Sequence, residues 1–319
     1  AGEVLLWRIP PPRRRREPVA VPDHVRDTSF APDGQTLAAW HWDGTISLRN
    51  IADPSSSQSL PELGSNNYGA LFSPITGRLA VGTRQGAVRL WDAQTARETA
   101  ILPGHEPCRM LPVAFSKDER VLLGVARLTR EQRCYLWELN SGKQLANWAI
   151  GPINHRVALS HDGRHVATGD WDGTVRLWDA TTGRELKRLG PHRTEVVGVE
   201  FAPDVQTLAS GSTYGDVILW DLKTFEPRAT LRGQSGAIYS LAFSPDGHRL
   251  VTGGNWQHAV EVWDPAIGQI VATLAGPGAL HGAVRFASNG HALATVNNAG
   301  TLTLWQAPSF GTIEAASDR

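Results

Sequence analysis

The residues able to do acid–base, nucleophilic or metal chemistry in this 319-residue chain are scattered rather than grouped. Eleven histidines and two cysteines are spread along its length. No Gly-x-x-x-x-Gly-Lys-Ser/Thr loop, His-Glu-x-x-His pair, Gly-x-Ser-x-Gly elbow or Cys-x-x-Cys pair occurs. His161 and His165 lie four apart, the spacing that places two imidazoles on one helix face, but they flank the Asp162-Gly163 turn and are not read as metal ligands. His192 and Ser210 have the residue types of part of a hydrolase triad. No catalytic residue, metal site or cofactor is expected from these patterns.

The elements that must position these side chains repeat. An apolar run ending in an aromatic, a turn, a second run, a tight turn and a strand ending in Trp recur from end to end; Val157 to Asp179 is the clearest copy. The terminal Trp falls at Trp91, Trp137, Trp178, Trp220, Trp263 and Trp305, with Arg49 in the same slot of the first copy and Trp7 one period earlier. The interval is about 42.6 residues. The residue closing the first strand gives an independent register: Phe30, Phe72, Phe115, Leu159, Phe201, Phe243 and Phe286.

Each copy reads as strands joined by chemically apt turns. Phe-Ala-Pro-Asp-Gly at 30–34 and Phe-Ser-Pro-Asp-Gly at 243–247 combine a preset φ, a backbone-bonding carboxylate and a residue tolerant of positive φ. Trp-Asp-Gly-Thr at 42–45 and 171–174 is a hairpin signal. Gly183 to Leu189 and Phe225 to Leu231 supply a fourth strand. One sheet per repeat cannot bury both faces alone, so neighbours must stack around an axis.

From Trp7 to Trp305 the chain resembles the WD-repeat β-propeller family. The resemblance rests on Trp91-Asp92, Trp178-Asp179, Trp220-Asp221 and Trp263-Asp264, with Trp137-Glu138 as a near match and Gly104-His105 as the family's Gly-His element. It implies an all-β propeller of four-stranded antiparallel blades, and the seven copies that have first, second and third strands make it seven-bladed, an eighth blade lacking its other two strands. It also implies an internal tetrad of His, Ser/Thr, Asp and Trp, which is never complete here. The fourth copy offers Thr168, Asp172 and Trp178 but has Ile150 in the His slot; the fifth offers His192, Ser210 and Trp220 but has Tyr214 in the Asp slot. Because the same slots recur in every repeat, whereas catalysis needs one local site, these six residues are assigned to folding.

Residues 17–306 are expected to form the ring, with Glu17 to Pro22 or the tail around Phe310 to Ala315 supplying its closing strand. Residues 1–16 read as a surplus strand of an upstream blade, Glu3 to Arg8, followed by the Pro10 to Arg16 linker, whose Arg13 to Arg16 run is solvated or meets an acidic partner. Residues 307–319 form a C-terminal tail. The chain is read as a monomeric propeller within a longer polypeptide, because Ala1 begins directly in a strand-like segment.

Lys plus Arg and Asp plus Glu are both 31, so the formal charge is zero, which argues against the whole chain as a polyanion binder. Two cysteines are too few for a disulfide framework and fit a reducing, cytoplasmic setting. The uncharged, glycine-rich stretch Leu274 to Val284 is too short for a membrane helix, and no membrane partner is expected.

The resemblance also implies where a partner would sit. On the narrow face, contact positions fall four and six residues before the first-strand aromatic, and one before the tetrad-Asp slot. The first rule gives Arg26, Tyr68, Leu111, His155, Val197, Tyr239 and Gly282; the second includes His24 and Arg109; the third includes Trp42, Arg84, Arg130, Trp171 and Trp256. All 21 positions together contain four Arg, two His, five aromatics and one acid, Glu195. Rigid aromatics beside Arg are favoured in binding hot spots. The expected function is a non-catalytic protein-interaction scaffold binding an acidic or phosphorylated peptide. The alternatives are a propeller hydrolase or lyase built around His24, His155 and His281, and nucleic-acid binding through the Arg-rich face. Copies three and six carry extra residues, within Arg127 to Arg133 and 255–258, in second-turn loops of that same face.

Overall fold

The computed structural model describes residues 19–22, 24–60, 63–104, 108–151, 156–232, 236–254, 259–275 and 281–306. The predicted surplus strand, the Arg13 to Arg16 run and the C-terminal tail lie outside these residues. The described residues form twenty-eight strands in seven four-stranded antiparallel sheets, with no α-helix. Blades 1 to 6 span residues 25–59, 67–102, 109–151, 156–189, 196–231 and 238–275; blade 7 spans 281–306 and takes its fourth strand from Val19–Pro22.

Within a blade the alternating pattern does the positioning. In Val175–Asp179, Val175 and Leu177 are buried while Arg176 between them is half-buried, as period-two alternation requires. The turns behave as their residues dictate. Asp33 Oδ1 accepts from the N–H groups of Gln35 and Thr36, both at 2.8 Å. Asp43 accepts from Thr45 N–H at 2.9 Å and its hydroxyl at 2.7 Å. Gly173 takes φ +83°, and a Cβ there would stand 2.5 Å from the His192 carbonyl oxygen, so the turn glycine lets the following loop lie directly against it.

The core sits between blades. Ala167, Val175 and Leu177 of blade 4 pack with Val199, Phe201 and Trp220 of blade 5. Val25, Leu37 and Ala39 of blade 1 pack with Val296, Leu302 and Leu304 of blade 7, which closes the ring. The N-terminal strand makes that closure by pairing Val19 with Leu304 and Val21 with Leu302. Polar clasps fasten the wide side: Glu119 of blade 3 accepts from the N–H groups of Ile75 and Thr76 of blade 2 at 2.7 and 2.8 Å, and Ser288 Oγ donates to the Pro32 carbonyl at 2.8 Å.

The tetrad slots are occupied in part. In blade 5, His192 Nε2 and Ser210 Oγ are 2.6 Å apart and Trp220 Nε1 donates to the same Ser210 Oγ at 2.8 Å. In blade 4, Trp178 Nε1 donates to Thr168 Oγ1 at 3.0 Å. Asp172 departs from the expectation. It is exposed and its carboxylate holds Thr174 N–H and Oγ1 at 3.0 and 2.6 Å, so it caps its own turn instead of extending the Thr168–Trp178 pair, which has no His to relay to it. The buried carboxylate of blade 4 is Asp170, 2.5 Å from Arg176 Nε. Arg49, in the Trp slot of blade 1, is buried.

Candidate partner-binding face

Six inner strands carry a β-bulge where they approach the narrow mouth. In blades 1, 5, 6 and 7 the extra residue is Arg26, Val197, Tyr239 and Gly282, and in blade 2 the bulge takes in Tyr68 and Gly69. These are the positions four before the first-strand aromatic. A bulge leaves one residue out of the ladder and re-aims its side chain, which is the physical reason this slot can face the channel mouth. Blade 3 departs: its bulge falls at Val113, and Leu111 stays paired with Val125.

The other two rules are bonded together. Trp42 N–H donates to the His24 carbonyl at 3.1 Å, Arg84 N–H to Asn66 at 3.3 Å and Thr213 N–H to Glu195 at 3.0 Å. The residue before the turn is thereby tied to the residue leading into the inner strand in blades 1, 2 and 5. Trp42 is 54% exposed and Trp171 50%; His24, Arg84, Arg109 and Arg130 are exposed, and Arg26 and Tyr239 are half-buried. His155 and Trp256 lie outside the described residues.

Tyr68 corrects the sequence expectation. It is 4% exposed and packs edge-on against Trp40 at 5.5 Å between centroids, so it is a pedestal under the face and not a contact on it. Three guanidinium groups gather over it: Arg26, Arg109 and Arg127 stand 5.4, 5.5 and 5.9 Å from its ring centroid. Arg26 also lies 4.6 Å from the Trp40 ring and 4.7 Å from Trp42. Arg127 Nη1 donates to the Tyr68 hydroxyl at 3.3 Å. These cation–π contacts assemble one surface from blades 1, 2 and 3. Beyond Trp42 a cleft of about 400 Å³ is lined by His24, His41, Asp43, Ser57 and Ser59.

Arg127, Trp40 and the channel charges were missed by the positional rules. The signal for Arg127 was the blade 3 insertion. Its extra residues lengthen the hairpin strands to Val121–Arg127 and Gln132–Glu138, carrying Arg127 up to the face. For the channel the signal was charge on inner strands. Arg156 donates to the carbonyls of Val197 at 3.2 Å and Gly282 at 3.3 Å, bracing blade 4 to blades 5 and 7, and burial pulls its guanidinium below the ordinary value. Arg285 Nη2 pairs with Asp27 at 3.0 Å. Glu200 keeps some surface open to the channel but is walled in by protein, and burial pushes its carboxyl up to about 7 against the pull of Arg285.

A ring of seven blades, six with a bulged inner strand and six with a Trp on the third strand, defines a repeat-built propeller. Residues 152–179, 183–221 and 225–264 match the WD domain, G-beta repeat, and the seven-bladed ring that contains these three repeats is a β-propeller of the WD-repeat type. Among similar proteins, the guanine nucleotide-binding protein subunit beta of Arabidopsis thaliana is 28% identical over 115 residues, covering 34% of this chain and 30% of that one. The LST8 homolog of Drosophila melanogaster is 29% identical over 179 residues, 52% of this chain and 56% of its own. The target of rapamycin complex subunit wat1 of Schizosaccharomyces pombe is 27% identical over 163 residues, 49% and 51% respectively. The chain thus spans from about three-tenths to just over half of these relatives.

Proposed function

We propose that this propeller is a non-catalytic interaction scaffold, the docking part of a larger protein, and that it captures an acidic segment of a partner protein across the narrow face of blades 1 to 3. The observation that carries the reading is the Arg26, Arg109 and Arg127 group over Tyr68, with Trp42 exposed beside it and no ion pair to any of the three among the described residues. Large rigid aromatic area with charge-assisted donors is what interface hot spots are made of. Two of the relatives are themselves named as subunits of assemblies, which agrees with a docking role.

The combined variant Arg26→Ala, Trp42→Ala and Arg109→Ala tests it. Partner capture by the immobilised chain falls at least a hundredfold, since each anchor of this kind is worth about 1–2 kcal/mol. Thermal unfolding stays within a few degrees, because Arg109 is exposed and Trp42 more than half so. Undiminished capture by this variant refutes the site.

A further inference from the structure

We infer that the seat over Tyr68 is built for a doubly charged phosphoryl group on the partner's side chain and not for a carboxylate. This deepens the docking role proposed above and rests on it. Arg109 and Arg127 are direct cross-strand partners at the end of the blade 3 hairpin, a like-charge pairing that a sheet ordinarily avoids. Both are exposed, both lean on the same ring, and Arg26 reaches that ring from blade 1. Among the described residues no carboxylate pairs with any of them; the neighbouring Asp27 is bound to Arg285. Three positive charges are thus gathered with no carboxylate paired to them among the described residues.

The chemistry that fits is an anion with more than one charge and several acceptor oxygens. A guanidinium lying against an aromatic ring keeps its in-plane N–H edges free to donate, and those edges match phosphoryl oxygens in pairs. A phosphoryl group near neutral pH carries close to two charges and offers three oxygens, one edge for each arginine. Tyr68 lies beneath them, and its oxygen accepts from Arg127, which fixes that guanidinium at the seat. A carboxylate neutralises one charge of three and leaves the Arg109–Arg127 opposition in place. Nucleic acid also carries phosphate, but its singly charged diesters call for a basic track, whereas the whole chain has zero formal charge and this patch is one spot.

The test uses the 319-residue chain and three degenerate peptide libraries with phosphoserine, glutamate or serine fixed at the centre. The phosphoserine library is retained at least tenfold more than the glutamate library, and inorganic phosphate at tens of millimolar competes it off. Arg127→Gln and Arg109→Gln each abolish the preference. Arg188→Gln, on the outer strand of blade 4 and paired with Glu185, leaves it unchanged. In the absence of peptide, inorganic phosphate raises the melting temperature of the parent chain but not of Arg109→Gln, which separates loss of the seat from loss of fold. Equal retention of phosphoserine and glutamate libraries overturns the phosphoryl seat and leaves acidic docking standing. Retention of neither overturns both, and tighter retention of a generic oligonucleotide than of phosphopeptide assigns the patch to nucleic acid instead.

Discussion

At the scale of single residues, Ser210 shows how a hydrolase-like set becomes a structural joint. Its hydroxyl sits between His192 Nε2 and Trp220 Nε1 at 2.6 and 2.8 Å, all three side chains are buried, and the imidazole stands edge-on to the indole at 6.3 Å between centroids. Nothing in this arrangement opens to a substrate. Ser210→Ala strands two buried donors or acceptors at once, each costing about 1–3 kcal/mol. Urea denaturation is expected to show a loss of about 2–4 kcal/mol with unchanged slope, while Ser210→Thr loses less because the hydroxyl survives. The residue types and repeat spacing made this joint legible. They did not reveal that Asp172 would serve its own turn, because a carboxylate two residues before a Thr satisfies itself locally, as Asp43 does with Thr45. Nor did they reveal Tyr68 as buried: the exposure of a bulge residue depends on which neighbouring blade leans over it, and here Trp40 does.

The elements carry a regularity that the sequence encodes only through counting. The slot four before the first-strand aromatic coincides with the bulge in blades 1, 2, 5, 6 and 7, so a positional rule found the geometry without naming its cause. Blade 3 breaks the rule through length. Its extra residues extend the hairpin instead of swelling the loop, and the added register pairs Arg109 with Arg127 and Arg127 with Gln132. Alternation alone could not place those arginines, since an insertion is equally compatible with a longer loop. The turns between second and third strands are a second regularity. Gly44 and Gly173 hold φ +86° and +83°, and a Cβ at either would approach a carbonyl oxygen of the next loop to 2.2 or 2.5 Å. Gly173→Ala therefore meets both backbone strain and a clash with the His192 carbonyl. It is expected to cost more than about 1 kcal/mol and to loosen the blade 4–5 seam first, read as faster amide exchange at Val196 and His192, whose N–H groups bond Asp170 and Gly173 across that turn.

At the scale of the whole molecule, zero formal charge averages over a ring whose mouth gathers arginines and whose interior holds ionisable groups with opposed pH behaviour. His192 is buried and held at about 4 by desolvation, with Asp216 pulling the other way, against an ordinary 6.5. The folded state then binds fewer protons than the unfolded chain between those values, so its contribution is complete above pH 6.5 and is lost as pH falls towards 4. Glu200 is held at about 7 against 4.5. The folded state binds more protons there, so its contribution is complete below pH 4.5 and is lost as pH rises towards 7. Each shift corresponds to about 3 kcal/mol at most. From pH 4.5 to 6.5 the two slopes oppose, and the parent chain is expected to hold a nearly level stability there. The turn aspartates, such as Asp43 and Asp172, are held below their ordinary 3.8 by bonds to Thr45 and Thr174 and act mainly at lower pH. Replacing one member of the pair should expose the other. Relative to the parent chain, His192→Gln removes one slope, and its unfolding free energy tilts downward as pH rises from 4.5 to 7; Glu200→Gln removes the other, and its unfolding free energy tilts upward as pH rises from 4 to 6.5. Denaturation series across that range read the two tilts directly, and parallel profiles for both variants would rule out this opposition of a buried imidazole and a channel carboxyl.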